Sequence, residues 1–183
     1  MSALFDRMAD LFERGHRRAI PDLLSDERFD IAKRTARAAV LIAITDRPKQ
    51  AGGPGLILTQ RPTTMRDHPG QVAFPGGKLD AGETAERAAL REAYEELSLD
   101  PAAVRLIGAT DGYRTGTGFD ITPIVGIVPP DLPLVPHPRE VEDWFEIPLD
   151  LVLDQSQWSQ HNVFWRGEKR HYLEMHYEGF RVW

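Results

Sequence analysis

The sequence predicts a chain of the α/β (α+β) class, and three stretches carry that reading. Residues 38–45, AAVLIAIT, form an unbroken apolar run of strand length, as expected of a central strand covered on both faces. Residues 85–97 contain no Pro, no Gly and no β-branched residue, so helix propensity is high throughout. Beyond that helix, residues 104–111 and 121–129 return to strand-like apolar runs.

Taken in order, the chain opens with Ala3, Leu4, Met8, Leu11 and Phe12 at helical spacing, and Gly15 is a plausible stop. This is a short amphipathic helix expected to pack on the domain. Asp6, Asp10 and Glu13 interrupt any basic face, which speaks against a helix lying on a membrane. Residues 15–18, GHRR, read as a solvated basic knot, and the mixed residues 20–30 allow another helical turn. Residues 1–35 thus read as an N-terminal helical extension of one domain spanning 1–183. Residues 46–55 hold two prolines and three glycines and form a loop. Residues 56–61, LILTQR, make the next strand, a hairpin partner of the first. Residues 61–76 form a loop in which Arg61, Arg66 and His68 crowd together. A histidine beside Pro-Gly reads first as structural or exposed, with substrate contact the lesser alternative.

The helix that follows ends in glutamates. Thr84 suits the N-cap, and Glu86 lies in the first turn, where the macrodipole favours an anion. At about 100° per residue, Glu92 and Glu96 lie about 40° apart, with Glu95 about 60° to the other side of Glu92. Ala85, Ala88 and Ala89 precede them on the same stripe and leave room for the glycine loop to fold over the helix. Leu90, Ala93 and Leu97 mark the face expected to enter the core. On an exposed helix such like charges cost only a few tenths of a kcal/mol. In a cleft, at about 5 Å and an effective dielectric of 20, each pair repels by roughly 3 kcal/mol. The cluster then needs protons or cations, and hard oxygen ligands select Mg²⁺ or Mn²⁺.

After the two later strands, which flank a glycine-broken loop GYRTGTGF, Pro133, Pro136 and Pro138 make a loop. Glu140 and Val141 are expected to begin a strand through Phe145, and Ile147, Pro148 and Leu149 to open a short helix. Residues 163–165 and 171–175 form a late hairpin around Arg166-Gly167-Glu168-Lys169.

Composition narrows the function. Apolar residues are 42% and charged residues 27% of a 183-residue chain, enough for a real core. The net charge of −6 argues against broad nucleic-acid binding. With no cysteine, thiolate chemistry and disulfides are excluded, which fits a cytoplasmic location. No run reaches membrane-spanning length, and the N-terminus is no signal peptide.

Gly77, Glu83, Arg91, Glu92, Ala93, Glu95, Glu96, Ser98 and Leu99 stand at the spacing G-x5-E-x7-R-E-U-x-E-E-x-G-U. This resembles the Nudix box. Every charged position matches, Ser98 stands for the second glycine, and Ala93 is a small member of the apolar class. A second signature precedes it. Leu58, Thr59, Arg61, Arg66, Gly70, Phe74, Pro75, Gly76 and Gly77 resemble L-L-T-x-R-[SA]-x3-R-x3-G-x3-F-P-G-G of the coenzyme A pyrophosphatase branch. Ile57 replaces one leucine, and Pro62 the small residue. The two motifs together cover residues 56–99, and the pair is far more specific than the box alone.

The resemblance implies a mixed β-sheet sandwiched between helices, with the box in a loop and helix over residues 76–99. It also implies one more helix after the sheet, and the chain stops at Trp183 short of it. The implied reaction is metal-dependent hydrolysis of the pyrophosphate of coenzyme A or a derivative, giving 4′-phosphopantetheine and 3′,5′-ADP. Glu92 and Glu96 would be the main ligands of Mg²⁺ or Mn²⁺, Glu95 a third, and Gly77 could add its carbonyl. Glu83 and Arg91 would meet only where the loop returns, as a buttress. Arg61, Arg66, Gly76 and Gly77 would line the substrate, guanidinium groups being suited to phosphates. Glu95 and Glu140 are both candidates for the base; we lean to Glu95 as ligand and Glu140 as base. The partner is a small molecule, with no nucleic acid and no membrane, and the oligomeric state is open. Two alternatives stand beside this reading: hydrolysis of another nucleoside diphosphate derivative (ADP-ribose, a dinucleotide, an oxidised nucleotide), or a non-catalytic nucleotide sensor of the same fold.

Overall fold

The computed structural model describes residues 2–17, 35–65, 68–115, 118–165 and 168–183. Helix α1 is Ala3–His16, with Ser2 accepting a hydrogen bond from Phe5 N at its N-terminus. Strands β1 (Ala36–Thr45), β2 (Gly55–Gln60), β3 (Val72–Ala73) and β4 (Gly76–Lys78) lead into α2 (Ala85–Leu97). Then come β5 (Arg105–Ala109), β6 (Tyr113–Arg114), β7 (Phe119–Val128), β8 (Asp143–Pro148) and α3 (Leu149–Leu153). The chain ends in β9 (Ser159–Trp165), β10 (Glu168–Tyr177) and β11 (Phe180–Val182).

Strands β1 to β8 form one mixed sheet with the path β3-β2-β1-β7-β5. The expected central strand is β1, which runs parallel to β7 from Ala36 beside Phe119 to Thr45 beside Val128. Its other edge is shared. The C-terminal end meets β2 at Ile44 and Leu56, and the N-terminal half meets β4, with Ala39 opposite Gly77. Strand β8 closes the far side of β2 antiparallel, and β9, β10 and β11 form a separate three-stranded sheet.

Alternation along β1 sorts the core into two faces. Ala39, Leu41 and Ala43 join Ile57, Ile124 and Val128 under α2, whose Ala88, Ala89, Ala93 and Leu97 are all fully buried. Ile44, Leu56, Leu58, Val125, Ile127, Phe145 and Ile147 face the other way, where Leu4, Phe5, Met8 and Phe12 of α1 and Leu149, Leu151 and Val152 of α3 cover them. The sheet therefore lies between helices, as expected. No described helix is long and apolar enough to cross a membrane.

Several elements differ from expectation. The inward side of α2 is Ala88, Ala89, Ala93 and Leu97, while Leu90 is half-buried. Small residues let the helix axis come down close to β1 and β4, so the alanine stripe faces the sheet. Strand β8 begins at Asp143, after a turn in which Glu140 N and Val141 N both donate to His137 O. Part of the loop after β2 pairs as β3, with Thr59 opposite Ala73. The GYRTGTGF loop contributes β6, paired to β7 at Arg114 and Asp120. The late hairpin is longer than the apolar residues suggested, because polar residues 159–162 pair fully with β10. Residues 20–30 lie outside the described residues, as do Arg18, Arg166 and Gly167.

Ser98 explains how α2 ends without the box glycine. It adopts φ 56 and ψ 28, the left-handed conformation, and its N–H reaches Tyr94 O while Leu99 N reaches Ala93 O. A serine carries a steric cost there that glycine lacks. Among the described residues, the return is a 3.5 Å contact from Ser98 Oγ to Val135 O. Ser98→Gly is expected to stabilise the protein by about 0.5–1 kcal/mol, part of the gain being offset by the freer unfolded chain. Urea denaturation measures it, and a lower midpoint for the variant would show that the Oγ contact outweighs the strain.

Candidate active site

The site is built where β4 passes under α2. Added Cβ atoms define how close the two lie. At Gly76 one would collide with Ala39 O and the Val40 backbone, and at Gly77 one would collide with the Glu92 carboxylate. Only glycine leaves the loop in contact with both β1 and the helix.

From there the chain turns out and returns at Glu83. Thr84 caps α2, its hydroxyl accepting from Arg87 N at 3.3 Å. Arg91 Nε and Nη2 donate to the two Glu83 oxygens, each at 3.0 Å. Nη2 also reaches Lys78 O at 3.0 Å, and Glu83 accepts from Asp80 N at 3.0 Å. The pair implied by the resemblance thus ties both ends of the glycine loop to the helix. The Arg91 guanidinium holds the Glu83 carboxyl below its ordinary range.

Glu92, Glu96 and Glu140 form the acidic group, with one oxygen of each lying within 4.8 Å of the others. Glu96 is 5% exposed, and its Oε2 is buried with no hydrogen-bond partner among the described residues. Burial pushes its carboxyl up to about 8, with Glu92 and Glu140 adding to the effect and the Gly76 N–H and Arg61 opposing it. Burial also raises Glu92, against the pull of Arg91. Arg61 is half-buried beside this group, and its Nε has no partner among the described residues.

Glu95 is placed differently. It is half-exposed and accepts from Arg91 Nη1 at 2.9 Å, on the same nitrogen that holds Glu92 Oε1 at 2.9 Å. It stands outside the three-carboxylate group. His68 sits in a left-handed turn, φ 55, with its carbonyl accepting from Gln71 N. Arg66 lies outside the described residues. Sequence reasoning missed the tie between Glu140's loop and the helix, where His137 N donates to Glu96 O and Val135 N to Leu97 O.

A buried carboxylate oxygen with no hydrogen-bond partner among the described residues, facing two further carboxylates, suits a cation, and an all-oxygen hard donor set suits a divalent one. The group fits such an ion, and the glycine loop lies directly against the Glu92 carboxylate.

A mixed sheet between helices, with this acidic helix against a glycine loop, defines a Nudix enzyme. A family model for the NUDIX domain matches residues 35–165, and the chain belongs to the Nudix hydrolase family, an enzyme of the pyrophosphohydrolase class. Enzymes of this family use divalent metal ions and act on small nucleotide-type molecules. The chain is 44% identical over 148 residues to the uncharacterized Nudix hydrolase NudL of Escherichia coli K12, covering 80% of this chain and 75% of that one. The NudL of Escherichia fergusonii is 43% identical with the same coverage. Among solved structures, the Nudix hydrolase RenU of M. smegmatis is 25% identical with a TM-score of 0.55, over 67% of this chain and 76% of that one. The C. elegans Ap4A hydrolase in a binary complex is 20% identical with a TM-score of 0.52, over 62% and 80% of the two chains, a likeness of fold.

Proposed function

We propose that the protein is a cytoplasmic pyrophosphohydrolase, dependent on Mg²⁺ or Mn²⁺, that cleaves coenzyme A or a derivative into 4′-phosphopantetheine and 3′,5′-ADP. The observation that carries the substrate is the run from Leu58 to Gly77, which resembles the coenzyme A branch. Arg61, a position of that signature, acts on Glu96 and has a buried Nε with no hydrogen-bond partner among the described residues. A guanidinium nitrogen free to donate beside this site supports an anionic ligand there. Coenzyme A carries a 3′-phosphate besides its diphosphate, which gives Arg66 a target as well.

Glu92, Glu96 and Glu140 would hold the metal, the proximity of Glu140 to the other two supporting its place as a ligand. A bound divalent ion would neutralise diphosphate charge and acidify the attacking water. This reverses the assignment favoured from sequence: Glu95, exposed and held by Arg91, is the better placed of the two to take a proton. Gly76 and Gly77 would present the loop backbone to substrate, and the Glu83–Arg91 buttress would keep that backbone on the helix.

A chromatographic substrate panel with metal tests the reading. Coenzyme A, acetyl coenzyme A and oxidised coenzyme A are expected to exceed ADP-ribose, NADH and 8-oxo-dGTP by at least about tenfold in kcat/KM. Preference for one of the latter three would replace the substrate and keep the enzyme class. No hydrolysis of any would favour a sensor.

A further inference from the structure

The loop that delivers Glu140 is zipped to the end of the helix that carries Glu92 and Glu96. Val135 N donates to Leu97 O at 2.9 Å and His137 N to Glu96 O at 2.8 Å. These are two of the carbonyls that a helix leaves unsatisfied at its C-terminus. Alternate residues of an extended segment point their N–H groups the same way. The residues that follow the two donors are Pro136 and Pro138, which have no N–H to strand on the opposite edge and whose φ is locked. Beyond them the chain closes a turn, with Glu140 N and Val141 N reaching His137 O at 3.0 and 2.9 Å. Val141 is 1% exposed. Glu140 therefore stands on a turn fixed at one end by the backbone of Glu96 and at the other by a core side chain.

We infer that Pro136 and Pro138 are positioning residues for the acidic group: they stiffen a strut that sets the Glu140 carboxylate against Glu92 and Glu96. The inference rests on reading that group as the metal site. A stiff strut matters because a carboxylate on a loose loop must lose its freedom when the ion binds. Glycine at both positions restores backbone freedom and leaves every carboxylate in the sequence.

The test is a mutant cycle on the full chain, read as Mn²⁺ affinity by titration calorimetry. Its members are the wild type, Glu140→Gln, the double variant Pro136→Gly/Pro138→Gly, and their combination. Glu140→Gln and the double proline variant are each expected to weaken Mn²⁺ binding about tenfold. In the Glu140→Gln background the proline changes should add less than about twofold, because the strut then has no ligand to position. Proline effects that are absent, or equal in both backgrounds, overturn the strut and leave the metal site standing. Normal affinity in Glu140→Gln overturns the site as read, and the strut with it. If the double variant does not fold, Pro138→Gly alone, at an exposed position, is read in the same cycle with an expected loss of about threefold.

Discussion

Glu96→Gln is expected to lower kcat by at least about 100-fold while raising the melting temperature of the metal-free protein near pH 9 by about 2–4 °C. The two effects have one origin. Glu96 is the most buried carboxylate of its group, and one of its oxygens has no partner among the described residues. An ionised carboxylate there is stabilised mainly by a cation, and glutamine keeps the shape without the charge. Losing the ion's hold removes several kcal/mol of transition-state stabilisation. Without metal, the same change removes repulsion from Glu92 and Glu140, a gain on the order of 1 kcal/mol. Turnover at saturating Mn²⁺, circular dichroism and melting curves measure all of this. Near-normal turnover would remove Glu96 from the ligand set.

The metal-free protein is expected to lose stability as pH rises from about 5 to 8, and Mn²⁺ to abolish the loss. Glu96 has a folded pKa of about 8, against an unfolded value of 4.5. Between these values the folded state keeps a proton that the unfolded state has released. Stability is therefore highest below the unfolded pKa and falls through the folded one, with a slope of up to about 1.4 kcal/mol per pH unit. Glu83, Asp120, Glu146 and Glu174 are shifted downward, so their contribution is lost only at more acid pH, whereas Glu92, also raised by burial, adds to the loss in the same direction. At a hundredfold excess over Kd, Mn²⁺ adds about 3 kcal/mol, or about 6–12 °C. Melting curves at several pH values, with and without Mn²⁺, are the measurement. A flat metal-free profile would show that Glu96 is ionised without cost.

What could be read in the sequence was whatever depends on spacing along one element. Glu92 and Glu96 share a helix stripe by geometry, whereas the meeting of Glu83 with Arg91 was implied only by the resemblance to the Nudix box. The strand at residues 38–45 announced itself by an apolar run that could be buried only on both faces. What failed depended on neighbours. Ala88 and Ala89 looked like clearance for a loop, but they allow the helix to lie close on the sheet. Glu140 looked like a residue at the start of a strand, and it belongs to a turn whose partner is a helix carbonyl distant in sequence. Polar residues 159–162 carry no strand signal, since backbone pairing with β10, not burial, holds them.

The parallel pairing of β1 with β7 also sets an order of assembly. The glycine loop and the whole of α2 lie in sequence between these two strands. A chain made from its N-terminus thus completes the glutamate helix before β1 has the partner that covers its long edge. The sheet closes only once residue 128 is available, and such distant pairings form slowly. Glu140 arrives later still. On the proposed reading of the acidic group, affinity for the ion would be acquired late in folding, once the turn carrying Glu140 is in place.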